Sequence, residues 1–395
     1  MKLAVIVDTF PRWSERFIAR ETDELIRHGV DATIFCLKAG RLEAGDEQEW
    51  AGLLARRRIL PRLFLPSLTQ KNDFFLQRLK TAKKALGSRY LSNALRAQAL
   101  IEQLKTGGFQ HVHAHFANLP STLAWLAAGA AGLPFTVSAH ARDLFVEPQL
   151  LEEKLADAQA VFACHVRAFE YLRLLGRGAG KIKLMRHGLP LKNYPFTAPG
   201  KNPPARLLAA GRFVPKKGFA ELLQALAVNR AENFQLTLLG EGPEAKILRA
   251  KIRETKLQQK VRLAFPLGGP DFRAVLAQAG AFIAPSQPAP DGDSDGVPNV
   301  VLEAFALGVP VIGAAAPGLS EVLTPETGTV VQPGDIHALA RAIQSFLHAP
   351  EEARQKTFSA RALIEREYDL AKNIAPLLQI INEPARSGPP DDKLP

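Results

Sequence analysis

The chain has 395 residues, 47% of them hydrophobic and 23% charged. That length suggests two domains of ordinary size, each able to bury a core, and the composition excludes wholesale disorder. The formal net charge of +11 leaves membrane surface, nucleic acid and anionic substrate as partner classes, while no run approaches the ~18 apolar residues of a membrane span.

The start, MKLAVIVDTF, is too short in apolar residues for a signal peptide and reads as a first strand over 2–7. The loop TFPRWSE follows. A helix is expected from Ser14 to His28, ended by Gly29, with Ser14 as cap and Glu15 in its first turn. DATIFCL is the next strand, and a β-loop-α-β opening suits a doubly wound parallel sheet. Cys36 and Cys164 lie in the apolar runs IFCL and VFAC, so they read as buried thiols of a reducing compartment.

Residues 56–90 are rich in Lys and Arg against one acid, Asp73, with Phe64, Phe74, Phe75, Leu76 and Leu79 interleaved. This pattern predicts a basic arm facing an anionic membrane surface. A helical excursion packed on its own domain, with solvated charges, is the alternative. No RNA-binding signature accompanies the aromatics, so nucleic acid is not expected as a partner.

An amphipathic helix ends at Gly107 and Gly108, and the strand HVHAH places His111, His113 and His115 on one face. A metal site there lacks an evident fourth ligand. The strand FTVSA delivers His140 to its carboxyl end, where open α/β sheets hold ligands; Arg142 and Asp143 are weaker candidates. The Pro- and Gly-rich run APGKNPPA is the linker, with the boundary between Pro195 and Pro204.

The pattern then restarts. ARLLAAG is a strand, and Arg212 and Lys217 flank its end, a planar fork and a point charge suited to a diphosphate. Gly240, Glu241 and Gly242 form a tight turn after FQLTLLG. The loop DGDSDG holds Asp291, Asp293, Asp295 and Gly296. Its D-x-D spacing invites a divalent-metal reading, set against cation supply by Arg212, Lys217 and a helix dipole. Pro298 then opens a helix whose first amides, near Asn299 and Val300, favour an anion. Glu303 lies roughly 7 Å along that helix, at ~1.5 Å per residue, about one ribose away.

The run DGVPNVVLEAFALGVPVIG, with PGLSEVL and TGTVVQPGD after it, resembles the donor-site segment of the retaining family-four glycosyltransferases (glycosyl transferases group 1) of the exopolysaccharide and lipopolysaccharide-assembling type. In that family two Glu residues are separated by seven intervening residues; here Asp295 fills the first position and Glu303 the second. SAHARD resembles the family's H-x-x-D run, HAH its cleft-side strand end, and FPRWSERFI its acceptor-facing loop. KIKLMRHGLPLKNYPF resembles the interdomain segment, with His187 and Pro190 departing from the pattern.

The resemblance implies an α/β chain of the GT-B fold, with two Rossmann-like doubly wound parallel-sheet domains facing each other across a cleft. It implies residues 1–195 as the acceptor-side domain, 196–368 as the donor domain and a helix over 369–383 crossing back, while the terminal run PARSGPPDDKLP is itself read as a disordered tail over 384–395. It assigns His140 and Asp295 to the donor sugar, Arg212 and Lys217 to the diphosphate, and Glu303 to the ribose. Gly240, Glu241, Gly242, Gly296, Asn299 and Val300 complete the donor side; Ser14, Glu15 and His115 face the acceptor. No cofactor and no metal are implied; the co-substrate is a UDP- or GDP-linked sugar. The expected acceptor is a lipid-linked saccharide at the cytoplasmic face of the inner membrane. Rival readings are an epimerase or phosphorylase of the same fold, or a non-catalytic scaffold binding membrane or anionic polymer.

Overall fold

The computed structural model describes residues 1–43, 45–62, 73–176, 178–200 and 205–383. Residues 63–72 of the basic arm, 201–204 of the linker and the tail 384–395 lie outside the described residues.

Two parallel sheets organise the chain. The first comprises β1 (Lys2–Phe10), β2 (Asp31–Ala39), β3 (Arg57–Ile59), β4 (His111–His115), β5 (Phe135–Ala139), β6 (Ala160–Ala163) and β7 (Ile182–Leu184), in the spatial order β3-β2-β1-β4-β5-β6-β7. The second comprises β8 (Arg206–Ala210), β9 (Gln235–Leu239), β10 (Val261–Ala264), β11 (Ala281–Ala284), β12 (Val311–Ala314) and β13 (Thr329–Val331), ordered β10-β9-β8-β11-β12-β13. Both are doubly wound, with the order reversing beside the first strand of each domain. That reversal opens a crevice at the strand carboxyl ends.

The near-continuous apolar runs follow from burial on both faces. In β1, Leu3, Val5 and Val7 enter one core while Ala4 and Ile6 enter the other. In β8, Leu207 and Ala209 point one way and Leu208 the other. Each fully buried Leu or Val contributes about 1.5–3 kcal/mol relative to exposure.

The two units are tied together at the chain's end. Leu189 and Asp369 form an isolated bridge. The helix Ala375–Asn382 then lies against the first sheet, its Leu377, Ile380 and Ile381 sharing a core with Leu3, Phe10 and Phe17.

Three local expectations change. Ser14 caps no helix: Trp13–Glu15 form a 3-10 turn, and the α-helix runs Arg16–Arg27 without a side-chain cap. Part of the basic stretch is sheet, since Arg57–Ile59 pair with Ile34–Cys36 as an edge strand. Arg78 is held rather than solvated. It donates to the Trp125 carbonyl at 2.8 Å, pairs with Asp157, and stacks on Phe74 and Trp125.

Candidate active site

A cavity of about 490 Å³ lies between the domains, walled by the carboxyl ends of both sheets. From the first domain come Ser14, Glu15, Phe17 and His140; from the second, Arg212, Lys217, Asp295 and Glu303. Gly296, Asn299 and Val300 form part of the same wall.

The helix Asn299–Leu307 is aimed by its ends. Pro298 is extended and serves as the N-cap, not as the first helical residue; Gly308, at φ +82°, ends the helix in the left-handed region. The Val301 amide reaches back to the Pro298 carbonyl at 3.0 Å. The amides of Asn299 and Val300 have no carbonyl a turn behind them, so they suit an anion in the cavity. Glu303 is 4% exposed, yet it reaches the cavity wall.

The acidic loop is buried. Asp293 and Asp295 are 6% and 8% exposed. Asp295 accepts from Lys217 Nζ at 2.8 Å and from the Ser286 hydroxyl at 3.0 Å. Burial pushes its carboxyl up, but the Lys217 and Lys216 ammoniums outweigh that and hold it below the usual carboxylate range. Asp293 accepts from Lys216 at 3.0 Å and, across the cleft, from Arg142 at 3.0 Å. Its D-x-D carboxylates are therefore engaged by cations in this structure. Gly318 makes the loop's path possible, because a Cβ there would sit 2.2 Å from the Asp295 carbonyl.

His140 follows β5 directly. Its backbone N–H donates to both Asp143 oxygens at 3.1 Å, and Asp143 also accepts from the Ala117 amide. The ring lies 4.3 Å from that of Phe116 and 5.0 Å from those of Phe17 and His187, centroid to centroid. Burial drives the His140 pKa well below the usual histidine value, with His187 adding to the effect, so the ring is neutral at physiological pH. Its Nε2 has no hydrogen-bond partner among the described residues. Beneath, Lys154 donates to the carbonyls of Ala117 at 2.9 Å and Asn118 at 3.1 Å; burial lowers its pKa to about 7. It braces the loop that packs against His140. Burial raises the Glu15 pKa, only partly countered by Arg12 and Arg212.

Two predicted placements differ. His115 is 1% exposed and sits behind the wall, packed on His113 and Phe17, because its strand is central in the sheet. Gly240 and Gly242 serve backbone packing: a Cβ on Gly240 would lie 2.0 Å from the Gly211 carbonyl, and one on Gly242 2.6 Å from that of Phe213. Glu241 and Gly242 line a neighbouring cavity of about 480 Å³ with Trp13 and Arg212. There the Trp13 indole donates to Glu241 at 3.2 Å.

Sequence reasoning missed the first domain's grip on the second. Arg16 pairs bidentately with Asp46 at 2.8 and 2.9 Å and donates to the Leu267 carbonyl at 2.8 Å; Asp46 also accepts from the Gly269 amide at 2.7 Å. Arg20 pairs with Glu303. Arg16, Phe17, Arg20 and Glu21 share one helical face, but that spacing does not name partners 30 to 283 residues away.

Two doubly wound domains closing on such a cleft define the GT-B fold. Residues 195–362, most of the second domain, match the family model described as Glycosyl transferases group 1. A glycogen synthase of Mycobacterium tuberculosis is 31% identical over 204 residues, 51% of this chain and 48% of its own. The amylovoran biosynthesis glycosyltransferase AmsK of Erwinia amylovora is 26% identical over 231 residues, 56% of this chain and 57% of its own. The chain thus spans about half the length of the curated relatives it matches. Among solved structures, Anabaena Alr3699/HepE in complex with UDP and glucose superposes with a TM-score of 0.73 at 17% identity, over 97% of this chain and 99% of that one.

Proposed function

We propose that the chain is a retaining glycosyltransferase that moves a sugar from a nucleotide-sugar donor to a saccharide acceptor in cell-surface polysaccharide or glycolipid biosynthesis. One observation carries this reading: Arg212, Lys217 and the start of the Asn299–Leu307 helix converge on one cavity, with Glu303 and His140 on its wall. A diphosphate suits the cations and amides. The Glu303 carboxylate suits a ribose diol, and His140 and Asp295 suit the sugar.

In this mechanism Lys217 exchanges its Asp295 partner for the departing diphosphate. Charge developing on the leaving oxygen is stabilised by Arg212, Lys217 and the Asn299–Val300 amides, the largest catalytic contribution. The acceptor hydroxyl attacks the anomeric carbon on the face the phosphate leaves, the sugar–phosphate bond breaks, and the hydroxyl proton passes to the departing phosphate oxygen, without a divalent ion at the phosphates. Names of relatives support the substrate class, since AmsK is described as an amylovoran biosynthesis glycosyltransferase. The exposed basic helix Asp73–Leu86 supports an acceptor held at an anionic membrane surface, and so a cytoplasmic, membrane-associated enzyme.

Lys217→Ala is the test, with UDP- and GDP-sugars as donors and product analysis as readout. Losing one charge-stabilising group lowers kcat by about 10²–10³. Unchanged turnover refutes the assignment. Turnover without an acceptor indicates an epimerase, and a chain that binds no nucleoside diphosphate is a scaffold.

A further inference from the structure

We propose that His140, His187 and Cys164 form a binding site for a zinc-type transition metal, and that metal bound there closes the sugar end of the cleft. The second half rests on the transferase reading; the first half does not.

The three residues come from separate places in the first domain. His140 follows β5, Cys164 follows β6, and His187 follows β7. One ligand atom from each lies within 4.8 Å of the other two. Around tetrahedral zinc, with bonds of about 2.0–2.3 Å, ligand atoms stand roughly 3.3–3.8 Å apart. The ligand atoms therefore close by about 1 Å on binding.

Two further observations point to a ligand. The Nε2 of His140 is buried without a partner among the described residues. A buried imidazole in that state has hydrogen-bonding capacity that a ligand would satisfy. His187 is oriented as metal-binding histidines are. Its Nδ1 lies 2.6 Å from Glu21 Oε1, and Glu21 is 2% exposed. A carboxylate accepting from Nδ1–H leaves the Nε2 lone pair free for a metal.

All three side chains line the main cavity. A metal held by them keeps a fourth position open to solvent, or to a substrate hydroxyl. Two imidazoles and a thiol select zinc, cobalt or copper over magnesium or calcium, which prefer oxygen. Binding forms a metal–sulfur bond and releases the Cys164 thiol proton, with no change in oxidation state. Because His140 is also the proposed sugar contact, metal and donor sugar compete for it.

The experiment titrates Co²⁺ into the metal-stripped full-length chain, then displaces it with Zn²⁺. One cobalt per chain is expected, with a thiolate-to-cobalt charge-transfer band. Cys164→Ser should abolish that band and weaken zinc binding at least tenfold. Glu21→Gln should weaken it about 10–100-fold. No band on the unaltered chain overturns the site, and that readout needs no variant to fold. Equal zinc affinity in Cys164→Ser also overturns it. Zinc should inhibit sugar transfer by the unaltered chain, with recovery on chelation. Metal binding without inhibition overturns the closure, whereas no transfer even by the metal-free chain overturns the transferase reading and leaves the binding result standing.

Discussion

The Arg20 guanidinium of the first domain is paired with the Glu303 carboxylate of the second, and the Tyr194 hydroxyl lies 2.7 Å from the same guanidinium. The side chains of Arg20 and Glu303 are 9% and 5% exposed. Burial works against the Arg20 charge, but Tyr194 and Glu303 outweigh it and raise its pKa. The carboxylate proposed to hold the donor ribose is therefore also an interdomain contact, so closure of the domains and donor binding share one group.

Arg20→Met leaves that carboxylate buried without its cation. Breaking a buried pair on one side costs about 3–5 kcal/mol. The double variant Arg20→Met/Glu303→Gln should recover much of that loss, because no unpaired charge remains. Denaturant unfolding of both singles and the double closes the cycle. Strictly additive losses would mean that the two residues are energetically independent.

Acid should destabilise the first domain through its buried imidazoles. Burial lowers His111 to about 4; burial with a contribution from His111 lowers His113 to about 3. The unfolded chain binds protons at these positions near pH 6.5, and the folded chain does not. Stability is therefore full above pH 6.5 and falls as pH drops below it, toward the folded values. At pH 5.5 each site costs about 1.4 kcal/mol. Urea midpoints at pH 7.5 and 5.5 measure this. His111→Gln should reduce the difference, and an unchanged difference would exclude His111 as a source.

Much of this architecture was legible because burial on both faces writes long apolar runs, as in KLAVIV and FTVSA. The short strands Arg57–Ile59, Ile182–Leu184 and Thr329–Val331 were not, since three residues at a sheet edge carry too little pattern. The cavity lining was legible at His140, Arg212, Lys217 and Glu303 through local motifs. His115 was misplaced because alternation tells which face a residue shares, not what covers that face. Lys216, Arg20 and the Arg16–Asp46 clasp were illegible for a different reason. Their meaning lies in partners far along the chain, and a single sequence carries no record of those pairings.

The helix Asp73–Leu86 tests the membrane expectation. Phe75, Ala82 and Leu86 face the core, while Leu76, Lys80, Lys83 and Lys84 are exposed on the outer side. Leu76 is 46% exposed, and Leu91 nearby in sequence is 71% exposed. Apolar residues beside ammoniums that have no acidic partner among the described residues suit an anionic bilayer better than water alone. Each basic residue near such a surface contributes about 1 kcal/mol. Reversing Lys80, Lys83 and Lys84 to Glu should therefore lower partitioning onto phosphatidylserine-containing vesicles by more than about a hundredfold. Exposed substitutions of this kind shift stability by only about 0.5 kcal/mol, so turnover on a soluble acceptor should persist. Cosedimentation with anionic and with neutral vesicles separates the cases. Equal binding of the triple variant and the unaltered chain would leave these lysines as solvated charges on a helix that serves only its own core.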